Sequence, residues 1–191
     1  MKYIFSFIFF IATLSNAQEK KFGEYTFQEL LKVSNLSFKM PRGFKETKII
    51  KNNGHLYQLA IKDSATGFEA RYYIKPYALF FPKNDVTYKE NPMTYNFFVS
   101  SLLNVSGYIL PEYPHIDIIK PEYVKYDMNA DYGLNSFFEP KSKFAEGYKY
   151  CLAAAIRKDS VGEVYIFMLY NIQNRETRII IDDILSSVDY K

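Results

Sequence analysis

Two consecutive apolar runs near the C-terminus constrain this fold more than any other feature. Residues 148–157 and 163–170 flank a turn, Lys158-Asp159-Ser160-Val161-Gly162. The first run carries Tyr148, Tyr150, Leu152, Ala154 and Ile156 on one parity, and Cys151, Ala153 and Ala155 on the other. Successive strand residues point to opposite faces. A hairpin that is apolar on both faces has to be covered on both sides. The small alanines predict the close approach of a helix.

The rest of the chain supplies candidates for that cover. Thr26-Phe27-Gln28-Glu29 reads as a capping box opening a helix over 27–34. A short strand at 36–40 stops at Pro41. Runs at 44–50 and 56–62 flank the turn Asn53-Gly54, as an antiparallel pair would. Phe68, Ala70, Tyr72 and Ile74 then alternate with Glu69, Arg71, Tyr73 and Lys75. Period two with a polar second face predicts a half-buried strand, ended by Pro76. The apolar stretch 77–81 is expected at a sheet edge. Tyr95, Phe98, Val99, Leu102 and Val105 form one stripe of a helix over 92–106, closed by Gly107. Residues 108–146 hold Pro111, Pro114, Pro121 and Pro140 and are the least regular part, with short strands expected at 116–119 and 134–138. Ile181, Ile184, Leu185 and Val188 mark an amphipathic helix beginning after Asn174. The sum is an α+β domain: a mainly antiparallel β-sheet covered by helices on both faces, an α/β/α sandwich. A cone-shaped cystatin-like or NTF2-like fold is the alternative, although its early long helix has little counterpart here.

Residues 1–17, MKYIFSFIFFIATLSNA, have the three parts of a secretory signal peptide: Lys2, an apolar stretch at 3–14, and the small-residue site Ser15-Asn16-Ala17. The mature chain is then 18–191, a single globular domain in the periplasm or secreted beyond it. Gln18 follows the cleavage site, where a lipid anchor would need cysteine. No later stretch approaches the roughly 18 apolar residues of a membrane-spanning helix. Cleavage removes one lysine and no acid, taking the net charge from +3 to about +2. With its lysines and arginines scattered, the chain has no footprint for nucleic acid. Cys151 is the only cysteine, so an intramolecular disulfide is excluded.

Few residues offer chemistry. His55, beside the Asn53-Gly54 turn, and His115, after Pro114, read as exposed. No G-x-S-x-G nucleophile elbow occurs. Cys151 lies mid-strand and reads as a small core hydrophobe. Asp127, Asn129 and Asp131 imitate positions 1, 3 and 5 of an EF-hand loop and are a candidate calcium site. Gly133 and Glu139 then each fall one residue late, and Asx-rich turns use the same residues without metal. No other cofactor is expected. Asp182 and Asp183 are adjacent on the last helix and read as a solvated face. With 18 Tyr and 17 Phe, the chain is rich in aromatics. Tyr72, Tyr73, Tyr77, Phe80 and Phe81 are the candidate ligand-binding platform, for stacking on a sugar or peptide. The competing reading places them in the core and at an edge covered by 76–92.

The order of features resembles the PsbP-like family, the extrinsic photosystem subunit and its bacterial relatives. Leu36-Ser37-Phe38-Lys39-Met40-Pro41-Arg42-Gly43-Phe44 looks like that family's opening, where an aromatic strand meets Pro-x-Gly-aromatic. The hairpin over 147–170 and a helix ending Ile184-Leu185-Ser186-Ser187-Val188 are similar to its close. The resemblance implies an antiparallel sheet between helices and a non-catalytic accessory or binding role, with no functional residue carried over. The expectation is thus an exported binding or accessory module with a protein or envelope component as partner. The alternative is a hydrolase of envelope glycans, peptides or lipids, with carboxylates assembled only in the fold.

Overall fold

The computed structural model describes residues 20–50, 55–81 and 94–191. The expected signal peptide, the Asn53-Gly54 turn and the Pro92 helix start lie outside the described residues.

The hairpin predicted from the two apolar runs is the centre of the molecule. Its strands, called β7 (Tyr150–Lys158) and β8 (Gly162–Tyr170) in chain order, pair antiparallel from Tyr150↔Tyr170 to Lys158↔Gly162. On one side of it stand β4 (Glu69–Pro76), β3 (Leu59–Asp63) and β2 (Phe44–Glu46). On the other stand β6 (Tyr132–Phe138) and β5 (Asp117–Ile118). The seven-stranded order is β2-β3-β4-β8-β7-β6-β5, antiparallel throughout. Two short strands, β1 (Leu36–Phe38) and β9 (Val188–Tyr190), pair with each other and form a separate ribbon.

Both faces are covered, as expected. One face carries Ala70, Tyr72 and Ile74 of β4 with Val164, Ile166 and Met168 of β8. Over it lie α1 (Phe27–Val33), α3 (Pro121–Met128), α4 (Arg175–Leu185) and the β1–β9 ribbon. Thr26 caps α1 reciprocally with Glu29, as predicted. The opposite face carries Tyr73 of β4 with Tyr165, Phe167 and Leu169 of β8, under α2 (Thr94–Ser106). Cys151, Ala153 and Ala155 lie in this second core. The expected α2 stripe is met by Phe98, Leu102 and Val105, all fully buried.

Several expectations are corrected. Strand β4 is buried at all eight positions, so its charged parity is not a solvent face. Residues 77–81 do not form an edge strand; a 3-10 turn, Tyr77–Leu79, begins directly after Pro76. Residues 121–128, expected as irregular, are α3, with Pro121 in its first turn and Asn129 left-handed at its end (φ 46°). The last helix ends at Leu185, and Val188 belongs to β9.

Candidate functional site

The charged parity of β4 lies under α2 because each of its charges finds a partner there. Arg71 donates from Nε to Glu69 Oε1 (2.7 Å) and from its guanidinium to the Phe144 carbonyl. It also lies over the rings of Phe144 and Tyr57, 4.6 and 5.2 Å from their centroids. The other Glu69 oxygen accepts the Tyr148 hydroxyl (2.7 Å), which in turn accepts from Lys62 Nζ (3.1 Å).

A second cluster centres on Glu163, which is 1% exposed. Register places it opposite Lys75 of β4 and Arg157 of β7. Its Oε1 accepts the hydroxyls of Tyr77 (2.7 Å) and Thr94 (2.6 Å), and its Oε2 accepts that of Tyr165 (2.5 Å). Lys75 Nζ is 3.6 Å from Oε2 and 4.3 Å from the Phe97 ring centroid. Burial first, and then the Glu163 charge, push the phenol of Tyr73 up to about 12 and raise that of Tyr165 well above its ordinary value. Both phenols stay protonated, and that of Tyr165 donates to Glu163. A carboxylate holding three hydroxyls and an ammonium has no lone pair directed at a substrate. Both carboxylates buried among the described residues, Glu69 and Glu163, are engaged by side chains of the fold.

The other nucleophile and base candidates are placed as follows. His55 is buried, contrary to expectation, with Phe167 and Tyr73 centroids 4.7 and 5.3 Å away, and burial lowers its pKa to about 4. His115 is exposed, 3.1 Å from Asp117 Oδ1. Cys151 is fully buried and its thiol is pushed well up by burial. Asp182, Asp183 and Glu139 are all exposed.

The five candidate platform residues are not brought onto one surface. Tyr72 points to the α1 side, where its hydroxyl meets Ser187 Oγ at 3.0 Å, and Tyr73 points to the α2 side. Tyr77 is buried on Glu163, Phe80 is 39% exposed, and Phe81 packs edge-on against Tyr77. Of Asp127, Asn129 and Asp131, the last two meet at Lys158 Nζ, 3.2 Å from Asn129 Oδ1 and 3.8 Å from Asp131 Oδ1. Asn129 donates to the Tyr190 carbonyl (2.7 Å) and accepts from Lys158 Nζ (3.2 Å), and Asp131 accepts from the Asp159 amide (2.8 Å). Those contacts tie the end of α3 to β9 and to the β7–β8 turn, and Asp127 faces solvent.

The surface feature that stands out lies at the β5 edge of the sheet. Ile109, Leu110, Tyr113, Ile118, Tyr123 and Tyr126 are 83, 64, 45, 64, 54 and 82% exposed. Their neighbours anchor the segment. Val124 and Met128 are buried against the first core, Ile119 packs beside them, and Ile116 packs against the second core. Backbone bonds hold it too: the Ile119 amide donates to the Gly133 carbonyl (2.9 Å), and Ser136 Oγ donates to the His115 carbonyl (2.6 Å). The neighbouring Tyr113 raises the pKa of Tyr95, on α2. These six large side chains point outward from an anchored backbone. Sequence reasoning missed these six individually. The available signal was aperiodic apolar residues in a proline-rich stretch.

Among the described residues no helix is long and apolar enough to cross a membrane. No family model matches the sequence, and no curated protein matches it. Among solved structures, the chain is similar to the solution structure of cyanobacterial PsbP (CyanoP) from Synechocystis sp. PCC 6803. The identity is 12%, the TM-score is 0.46, and the match covers 87% of this chain and 91% of that one.

Proposed function

We propose that this protein is an exported, non-catalytic binding or accessory module that docks a protein partner through residues 109–126. The observation that carries this reading is the outward row of Ile109, Leu110, Tyr113, Ile118, Tyr123 and Tyr126 on an anchored backbone at the open edge of the sheet. Protein interfaces are enriched in tyrosine and depleted in charge at their centres. An edge strand flanked by such side chains also offers unpaired backbone groups to an incoming segment. Support for the non-catalytic part comes from the two carboxylates buried among the described residues, each already engaged by hydroxyls or cations of the fold. Support for export comes from residues 1–17, with their charged start, apolar run and small-residue cleavage site.

Affinity capture from envelope extracts with wild-type protein and with an Ile109→Ser/Tyr126→Ser variant tests this. Both residues are more than four-fifths exposed, so folding is unaffected. A partner retained by wild type and lost by the variant supports the reading. A partner retained equally by both contradicts it.

A further inference from the structure

A concave surface next to the start of α4 has a different chemistry. Stacked and tilted rings run beneath the start of this helix: Phe68 on Tyr170 at 5.0 Å, Tyr170 to Tyr150 at 5.8 Å, and Tyr150 on Phe137 at 5.9 Å. Helix α4 buries only Thr177 and Ile184 and leaves part of this strip uncovered. The result is a groove of about 790 Å³ whose apolar lining includes Phe137, Leu152, Tyr170 and Ile181. Small-ligand clefts occupy roughly 300–1,000 Å³.

The groove's charge has one sign. Arg175 and Arg178 line it, and no acid does. Glu176, between them in sequence, belongs to a separate cleft on the Ala65–Phe68 side of the helix. Residues three apart on a helix are neighbours on one face. Both arginines are exposed, and neither enters any of the ion pairs among the described residues. Elsewhere Arg71 and Arg157 each hold a carboxylate at 2.7–2.8 Å. Two unneutralised planar forks over an apolar floor complement an anion with an apolar body.

We infer that this groove binds an amphiphilic carboxylate, with its apolar body on Phe137, Leu152, Tyr170 and Ile181 and its carboxylate between Arg175 and Arg178. The size of the groove suits one such molecule, and its concave shape suits a free acid more than a lipid surface. The inference is independent of the docking role of residues 109–126.

Calorimetric titration of the purified protein with dodecanoate, below its micellar concentration, is the test. Acetate removes the tail, and dodecyltrimethylammonium reverses the charge. The expected result is saturable binding of one dodecanoate. That binding should be weaker by roughly tenfold or more for either control and for an Arg175→Gln/Arg178→Gln variant, because charge-assisted bidentate contacts carry recognition. The variant's melting temperature should match wild type, since both side chains are exposed on the helix surface. Absence of saturable dodecanoate binding overturns the inference. So does equal binding of the cationic amphiphile, or undiminished binding by a folded double variant. An Ile109→Ser/Tyr126→Ser variant should bind dodecanoate normally, so the two surfaces fail or succeed separately.

Discussion

At the scale of single residues, Glu163 organises the α2 side. Tyr77 and Thr94, which flank residues 82–93 in sequence, both donate to its Oε1, and Lys75 supplies the neighbouring charge. Removing one member of a buried ion pair leaves the other uncompensated. Glu163→Gln should therefore lower the unfolding free energy by about 3 kcal/mol, read by urea denaturation. Adding Lys75→Met should recover part of the loss, because no lone charge then stays buried. An additive loss would instead mean that the two side chains act independently. His55 sets a pH dependence. Burial lowers its pKa from an ordinary 6.5 to about 4, so the unfolded chain takes up a proton that the folded one resists. Its contribution is intact above 6.5 and is lost as the pH falls to about 4. The size of that loss is about 2–3 kcal/mol. His55→Leu should flatten the stability curve in that window, and an unchanged slope would contradict the placement. Glu29 titrates in a lower window: its carboxylate is held at about 2, first by Lys20, so its stabilisation fades only as the pH falls below 4.5.

At the scale of elements, two glycines mark where neighbouring elements leave no room for a Cβ. A Cβ on Gly162 would lie 2.7 Å from the Lys75 carbonyl and 3.1 Å from Pro76 Cα, both backbone atoms of β4. A Cβ on Gly133 would meet Val124 Cγ2 at 2.8 Å, a side-chain methyl of α3. Overpacking costs about 1–3 kcal/mol where the surroundings can shift, and more where they cannot. Gly162→Ala should therefore destabilise more than Gly133→Ala in parallel thermal melts, and the reverse order would contradict this account of the β4–β8 contact. The same elements show what was legible in the chain. The β7–β8 hairpin, the α1 capping box and the α2 stripe were readable because local periodicity and packing demand agree there. Strand β4 was readable as a strand, but its polar parity was misassigned. The pairing of Lys75 with Glu163 depends on a register set by Pro76↔Gly162, which no local pattern encodes. Helix α3 was hidden because only Val124 and Met128 face inward, and because its N-cap is Lys120, which makes no side-chain cap bond. The end of α4 was overrun because Val188 keeps helical spacing from Ile184, while its burial is in the ribbon with β1.

At the scale of the whole molecule, polarity is distributed unusually. The sheet buries four charged side chains, Glu69, Arg71, Lys75 and Glu163, inside closed hydrogen-bond clusters. It turns apolar side chains outward along 109–126 instead. Buried ionic clusters contribute little net stability and make their surroundings specific in geometry. Exposed anchored apolar surface costs solubility unless a partner covers it. The proposed docking surface was legible only as irregularity, since an interface lacks a period of its own. The aromatic richness pointed at residues 72–81, which the fold spends mainly on its two cores. The most direct test of the central claim is the comparison of envelope partners captured by wild-type protein and by Ile109→Ser/Tyr126→Ser, with matched melting temperatures as the control for folding. The account predicts that a partner held by the wild type is released by the variant. Undiminished capture by the folded variant would contradict it.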